Sequence, residues 1–274
     1  MMTLPRWRVL SVLALSWTAA LFLEGCTTVP VTGRRELNFV SEDQEMQLGL
    51  SSFDQLKKET PVSSDPAANA MVQRVGKRIA AVAGKDMPNA QWEFVVFQSP
   101  EANAFCLPGG KVGVYTGILP ITKTDAGLAT VLAHEVGHAV AHHGASRMSQ
   151  AELVQAGGQV LGSGLAASDP RLQSLAMLAY GVGSKVGVEL PYDRKQESEA
   201  DHIGLVYMAR AGYDPKEAIA FWQRFMEFNR QQGGGSSTPA FLRTHPVDEV
   251  RIKQLQQWLP EAEAEFAKSK VQSK

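Results

Sequence analysis

Residues 134–138 read His134-Glu135-Val136-Gly137-His138, and this stretch decides both the fold and the chemistry that we expect of the chain. Two histidines four positions apart on a helix project from the same face, so their imidazoles can bind one zinc ion. Glu135 points to a neighbouring sector, where it can reach a water molecule without binding the metal. The stretch therefore predicts a zinc site with Glu135 as general base of a peptide hydrolysis.

The third ligand of this zinc site must come from elsewhere in the chain, because a catalytic zinc ion takes three protein ligands and keeps one position open. Gly144 stands where the metzincin pattern requires a third histidine, so that pattern is excluded. The best candidates lie in the run Glu197-Ser-Glu-Ala-Asp-His202. Spacing leaves its three carboxylates and its histidine open as ligands, and one carboxylate could instead orient a ligating histidine.

Two further histidines, His142 and His143, follow directly after the motif. A straight helix carries His142 too far along its axis to share the metal with His134 and His138. His143 lies off the metal-binding face of the same helix. We therefore expect a structural role for both residues.

Capping and turn signals predict a mainly helical chain with one small strand region. Residues rich in β-branched and aromatic side chains predict strands at 92–97 and 111–116 on either side of a Pro-Gly-Gly turn. The uncharged, Gly- and Ala-rich stretches 153–168 and 172–184 predict a packed helical hairpin or a mobile flap. A lip that touches a membrane or covers the active site is the alternative. Helix starts are predicted at Ser41, at Asp65-Pro66, at about Asp125 (to His143), at Asp214-Pro215 and at about Asp248.

The first residues of the chain predict an export signal. Arg6 and Arg8 precede an uncharged apolar run, Val9–Leu23, which is shorter than the roughly 20 residues that a membrane span needs. Leu23-Glu-Gly-Cys26 resembles the bacterial lipobox, which implies cleavage before Cys26 and lipidation of that residue. An uncleaved anchor or an ordinary signal peptide is the alternative.

Composition mainly excludes classes of protein. The 274 residues include 27 basic and 28 acidic side chains, and a net charge of −1 provides no electrostatic footprint for nucleic acid. Two cysteines, Cys26 and Cys106, exclude a disulfide-rich scaffold and a thiolate zinc cluster. If Cys26 carries a lipid, Cys106 has no partner for a disulfide.

Five segments together resemble one family, the membrane-linked zinc metallopeptidases that include HtpX, the mitochondrial inner-membrane protease Oma, LoiP, BepA and the CAAX prenyl proteases. The layout is most similar to that of LoiP-like outer-membrane lipoprotein proteases. The matching segments follow the family order across roughly residues 38–258. They are residues 41–49, 103–110, 134–138, 197–201 and 243–246.

The resemblance implies a mainly α fold with a small β-sheet (α+β), of the zincin type, with one zinc ion per chain. It maps the third ligand onto Glu197, beside His134 and His138, and a supporting role onto Asp201. Glu199 is then not a ligand. The resemblance also implies that the segment 103–110 contains an edge strand at the active site, to which an extended polypeptide could add through backbone hydrogen bonds.

Further site residues follow from the same resemblance. His245 lies in a shared Thr-His-Pro motif and has three possible roles: to stabilise the oxyanion, to position the substrate, or to occupy the open zinc position in a resting state. Arg251 is a candidate for contact with the oxyanion or a substrate carboxylate, with a surface salt bridge as the alternative. The expected substrate-binding residues are Asn103, Gly109, Gly110, Val112 and Arg251.

These observations predict a zinc-dependent metalloendopeptidase for misfolded or misassembled cell-envelope proteins. We expect it at the periplasmic face of a Gram-negative outer membrane, attached through lipid on Cys26. Alternatives are a chaperone-like lipoprotein without proteolytic activity and a lipoprotein whose metal has four protein ligands and a structural role. The expected divisions are signal peptide 1–25, tether 26–37, peptidase domain 38–260 and charged tail 261–274.

Overall fold

The fold is mainly helical with a small β-sheet, as the sequence predicts. A computed structural model describes residues 26–233 and 238–272, so the predicted signal peptide 1–25 lies outside the described residues. The strands are β1 (Cys26–Thr28), β2 (Arg35–Leu37), β3 (Glu93–Phe97), β4 (Ala104–Leu107) and β5 (Lys111–Tyr115). The helices are α1 (Glu42–Glu59), α2 (Pro66–Ala83), α3 (Leu119–Thr122), α4 (Asp125–Val140), α5 (His143–Gly164), α6 (Pro170–Ser184), α7 (Leu190–Arg210), α8 (Lys216–Gln231), α9 (Ala240–Thr244) and α10 (Glu249–Gln272).

The first helices begin where their capping residues predict. Ser41 forms a capping box with Gln44 at the start of α1. Asp65 accepts hydrogen bonds from two backbone amides at the start of α2, where Pro66 takes the first helical position. Phe53 of α1 is buried, while Leu50 is exposed.

The three-stranded sheet has the order β3-β5-β4. β5 is parallel to β3 and antiparallel to β4, which leaves β4 at one edge. Gly113 in β5 makes room for the ring of Phe105, since a Cβ at this position would lie 2.2 Å from a ring carbon. The strands predicted at 92–97 and 111–116 are confirmed within one residue at each end.

The α4 helix is the centre of the molecule, with every residue from Gly127 to Val140 buried. It packs against α7, where Gly204 allows the two backbones to approach closely. The helix ends at Val140, three residues earlier than predicted. His142 then adopts a left-handed conformation, with φ 52°, and its Nδ1 lies 2.8 Å from Glu45 Oε2. The chain turns there, so His143 begins a new helix instead of continuing the old one.

The predicted helical hairpin is confirmed as α5 and α6. The Tyr180 hydroxyl joins the two helices by donating to the Val154 carbonyl at 2.7 Å. None of the α6 residues is buried, and Leu175, Leu178 and Val182 are each more than half exposed. Among the helices that the structure describes, none is long and apolar enough to cross a membrane.

Both ends of the described chain form regular secondary structure. Residues 26–37 form a β1–β2 hairpin, and Val29 in its loop is buried in the core. The Phe39 amide donates to Ser149 Oγ on α5 at 2.9 Å, which fixes the connection to α1. At the other end α10 continues through Pro260 to Gln272, and Ala262 within it is fully buried.

Candidate active site

Two helices and one turn bring four potential metal ligands together. Helix α4 contributes His134 and His138, and α7 contributes Glu197. His245 comes from the turn directly after α9. The first three residues are buried and His245 is nearly so, and one ligand atom of each lies within 4.8 Å of the others.

The distances between these ligand atoms fit a zinc site. Four donors at 2.0–2.1 Å from one tetrahedral ion lie about 3.3–3.4 Å from one another. His134 Nε2 lies 3.1 Å from His138 Nε2 and 3.3 Å from His245 Nδ1. The Glu197 carboxylate lies 3.4 Å from His134 Nε2, 3.3 Å from His138 Nε2 and 3.0 Å from His245 Nδ1. Three nitrogens and one carboxylate oxygen are also the donor types that zinc prefers.

Glu135 lies beside this cluster without joining it. Its buried Oε1 has no hydrogen-bond partner among the described residues, and His245 Nε2 lies 3.5 Å from it. Burial raises the pKa of this carboxyl above its ordinary value. A buried, unpaired carboxylate oxygen needs a polar partner, and a water or a substrate amine in the cleft would provide one.

Asp201 and Arg251 support the cluster from the side of α7 and α10. Asp201 Oδ1 lies 3.0 Å from His134 Nδ1, the ring nitrogen that faces away from the cluster. Arg251 donates to both oxygens of Asp201, at 2.7 and 2.8 Å, and its guanidinium stacks over the Trp222 ring at 4.6 Å. Arg251 is thus buried within the site, and its expected contact with substrate stays a prediction.

Burial and hydrogen bonds within the cluster shift the pKa values of its side chains. Burial alone raises the pKa of Glu197, but hydrogen bonds from His134, His138 and His245 outweigh it and hold the pKa well below its ordinary value. Burial lowers the pKa of His134, yet Asp201 and Glu197 outweigh that effect and raise it to about 9. Burial holds the pKa of His138 well below its ordinary value, which favours the neutral imidazole that a metal requires.

His143 and Glu199 belong to the surroundings of the cluster, a role that the sequence analysis missed. His143 Nδ1 lies 2.8 Å from His138 Nδ1, and His143 Nε2 lies 3.0 Å from Glu199 Oε2. The helix break at His142 makes this contact possible, because it turns His143 back towards α4. No local pattern in the sequence indicates that break.

The edge strand beside α4 is β4, and four of the predicted substrate-binding residues lie in or next to its sheet. Val112 lies in β5, whose two edges are both paired, so it has no backbone edge left for a substrate. The carbonyls of Gly109 and Gly110 accept from Gln91 and Glu93 on the β3 side. Asn103 lies directly before β4, where its carbonyl accepts from Tyr115 at 3.0 Å.

Comparison with known proteins supports the chemistry of this site. Residues 66–259 match the family model described as Peptidase family M48. The chain belongs to this family. M48 metallopeptidases use zinc, and the chain is a zinc metalloendopeptidase that acts on polypeptides.

Individual relatives agree with this assignment. Mitochondrial metalloendopeptidase OMA1 of Schizosaccharomyces pombe is 38% identical over 238 residues, which cover 86% of this chain and 67% of the relative. The protein of the same name from Saccharomyces cerevisiae is 32% identical over 275 residues, covering 93% and 77%. The beta-barrel assembly-enhancing protease of Escherichia coli is 27% identical over 250 residues, covering 89% of this chain and 50% of the relative.

These relatives overturn the predicted location. The sequence analysis placed the chain at the periplasmic face of a Gram-negative outer membrane. The two fungal relatives are mitochondrial by name and more similar to this chain than the bacterial one. The prediction was wrong because a short apolar run followed by a cysteine is a weak local signal, whereas the relatives match along most of the chain.

Proposed function

We propose that His134, His138 and Glu197 hold the zinc ion and that Glu135 is the general base for peptide hydrolysis. When bound, zinc supplies Lewis acidity towards water and the scissile carbonyl. Glu135 accepts the proton of the attacking water and then donates it to the leaving amine nitrogen. The unpaired, buried Oε1 of Glu135 beside four converging ligand atoms is the observation that carries this assignment.

His245 takes the fourth vertex of the donor cluster, and we propose that this describes a resting arrangement. Its Nδ1 lies 3.0 and 3.1 Å from the two oxygens of Glu197, so the position that a water must enter is filled by a protein nitrogen. The turn that carries His245 follows a helix of only five residues, which few backbone hydrogen bonds hold in place. Displacement of this turn opens the site to water and substrate.

The substrate class that fits this cleft is an extended, unfolded polypeptide. β4 is an edge strand that packs against α4, so a peptide added to it runs past the metal ligands. Backbone pairing discriminates little between side chains, which suits quality control of misfolded or misassembled proteins. A holding function without cleavage is less well supported, because it requires no base at Glu135. As part of this proposal, the layout of the chain is similar to that of LoiP-like proteases.

Replacement of Glu135 by Gln tests the assignment. The amide keeps the shape of the side chain but cannot take a proton, so we expect cleavage of an unfolded casein substrate to fall about 10²–10⁴-fold. Zinc content should stay at one ion per chain, and a chelator should abolish the wild-type activity. The matched control is Glu152→Gln on the exposed side of α5. Full activity of Glu135→Gln would refute the proposal.

We also propose that the α5–α6 hairpin contacts a lipid surface. Its helices carry uncharged stretches at 153–168 and 172–184, and α6 buries none of its residues. The uncharged run Val9–Leu23 precedes β1 in the sequence, and the Phe39 amide after β2 donates to Ser149 of α5. Lipidation of Cys26 stays a prediction.

Co-sedimentation of the full chain with phosphatidylcholine vesicles tests this contact. We expect Leu175→Glu combined with Leu178→Glu to reduce binding severalfold, because two charges then enter the apolar layer. The control places two glutamates at Gln55 and Ser51, which are exposed polar positions of α1. Equal binding of the hairpin variant and the wild type would exclude the hairpin as the contact.

A further inference from the structure

A chain of hydrogen-bonded side chains leads from His138 away from the metal cluster. His138 directs Nε2 to the cluster, so its proton resides on Nδ1, which faces His143 Nδ1 at 2.8 Å. His143 must accept there, which places its own proton on Nε2. This Nε2 donates to Glu199 Oε2 at 3.0 Å. The carboxylate therefore fixes the tautomer of both rings.

The β1–β2 hairpin holds that carboxylate. Arg34 donates to Glu199 Oε2 through Nε at 2.8 Å and through Nη2 at 2.5 Å. Thr32 donates its hydroxyl to Glu199 Oε1 at 2.5 Å.

The two histidines of α4 thus have matching supports. His134 contacts Asp201 on the side away from the cluster, and Asp201 forms an ion pair with Arg251. His138 contacts His143, which in turn contacts the Glu199 carboxylate. Arg34 forms an ion pair with this carboxylate. The second arginine lies at residue 34, outside the segment 66–259 that matches the family model.

We propose that the β1–β2 hairpin is part of the metal centre, with Arg34 and Thr32 as positioning residues that act on His138 through Glu199 and His143. The inference rests on the ligand set given under the proposed function. Without Arg34 and Thr32, the Glu199 carboxylate loses three of its four hydrogen bonds and turns towards solvent. His143 is then able to carry its proton on Nδ1, opposite the Nδ1 proton of His138. That opposition favours the His138 tautomer with Nε2 protonated, which cannot bind a metal.

Zinc affinity of the full chain, measured by competition with a chromophoric chelator, tests the proposal. We expect Arg34→Ala to weaken zinc binding about 10-fold, at the lower end of the range typical for residues that orient a ligand. Arg34→Lys keeps the charge and one hydrogen bond and should restore part of the loss. Arg35→Ala removes the same charge from the neighbouring, exposed position and should leave affinity within about twofold of the wild type.

A second measurement separates positioning from simple attachment of the hairpin. Nitrogen-15 NMR of the imidazoles in the zinc-loaded protein should show the His143 proton on Nε2 in the wild type. In Arg34→Ala it should show a mixture of the two neutral tautomers, with the proton on Nδ1 or on Nε2. A hairpin that only adds stability predicts a lower melting temperature of the metal-free protein with unchanged zinc affinity and tautomer, and that result would overturn the proposal. Normal zinc binding by His138→Ala would instead refute the underlying ligand set.

Discussion

Gly204 of α7 lies against the backbone of His134 in α4. A Cβ built on Gly204 would stand 2.9 Å from the His134 amide nitrogen and 3.0 Å from its Cα, distances that backbone atoms cannot relieve without moving. The absence of a side chain at Gly204 therefore sets how closely α7 approaches the histidine helix. Glu197 lies on the same helix, so this packing also sets the distance between the metal ligands of the two helices.

Gly204→Ala tests this relationship. We expect a loss of about 1–3 kcal/mol in the free energy of unfolding, because the added methyl overpacks the helix contact. Zinc affinity should fall as well, since α7 must shift relative to His134. Urea denaturation and chelator competition measure the two effects. Gly162→Ala is the control: its Cβ meets no atom within 4 Å, so it should be neutral or add up to about 1 kcal/mol. Equal stabilities of the two variants would contradict the argument.

Asp201→Asn tests the support of His134. The amide keeps the size of the side chain but removes the charge that Arg251 binds at 2.7 and 2.8 Å. We expect zinc affinity to fall about 10–100-fold, as is typical when the residue behind a ligating histidine is changed. Chelator competition measures the effect, and Asp43→Asn on the exposed face of α1 is the matched control. Unchanged affinity would show that Asp201 does not orient His134.

Local signals in the sequence predicted those parts of the fold that depend on neighbouring residues. Ser41 and Asp65 cap helices because a cap is a contact within one turn. The pairing of His134 with His138 follows from the helical repeat. The expectation that Glu197 is the third ligand required the family resemblance, since spacing left four residues open.

The parts that the sequence did not predict depend on distant contacts. Whether a helix continues through His142 depends on what the turn gains elsewhere, and here it gains the contact between His142 and Glu45, 97 positions away. The hydrogen bond from Arg34 to Glu199 joins residues 165 positions apart. Val112 lies in the middle strand of the three-stranded sheet, and the order of strands in a sheet is not encoded locally.

Cys106 of β4 should be a poorly reactive thiol. Burial raises its pKa above the ordinary value, and the nearby Glu135 carboxylate adds to the shift, so the reactive thiolate is scarce near pH 8. We expect iodoacetamide to modify Cys106 at a rate at least about tenfold lower than that of cysteine in a short peptide. Mass spectrometry of a Cys26→Ser variant reports Cys106 alone, and urea should restore the peptide rate. A rate equal to that of the peptide in the folded protein would contradict this expectation.

His245→Ala distinguishes the possible roles of the fourth donor. If the imidazole fills the position that water must enter, its removal weakens zinc binding and raises the turnover of a short unfolded peptide, because no displacement has to precede catalysis. If His245 stabilises the oxyanion instead, turnover falls by about 10²–10³-fold and zinc affinity is unchanged. We expect the first result, because His245 Nδ1 lies 3.3 Å from His134 Nε2 and 3.0 Å from Glu197 Oε1, the spacing of donors around one ion. The control His202→Ala removes a histidine that pairs with Glu261, on the side of α7 that faces α10, and should change neither quantity. A variant with wild-type zinc affinity and wild-type turnover would exclude both roles.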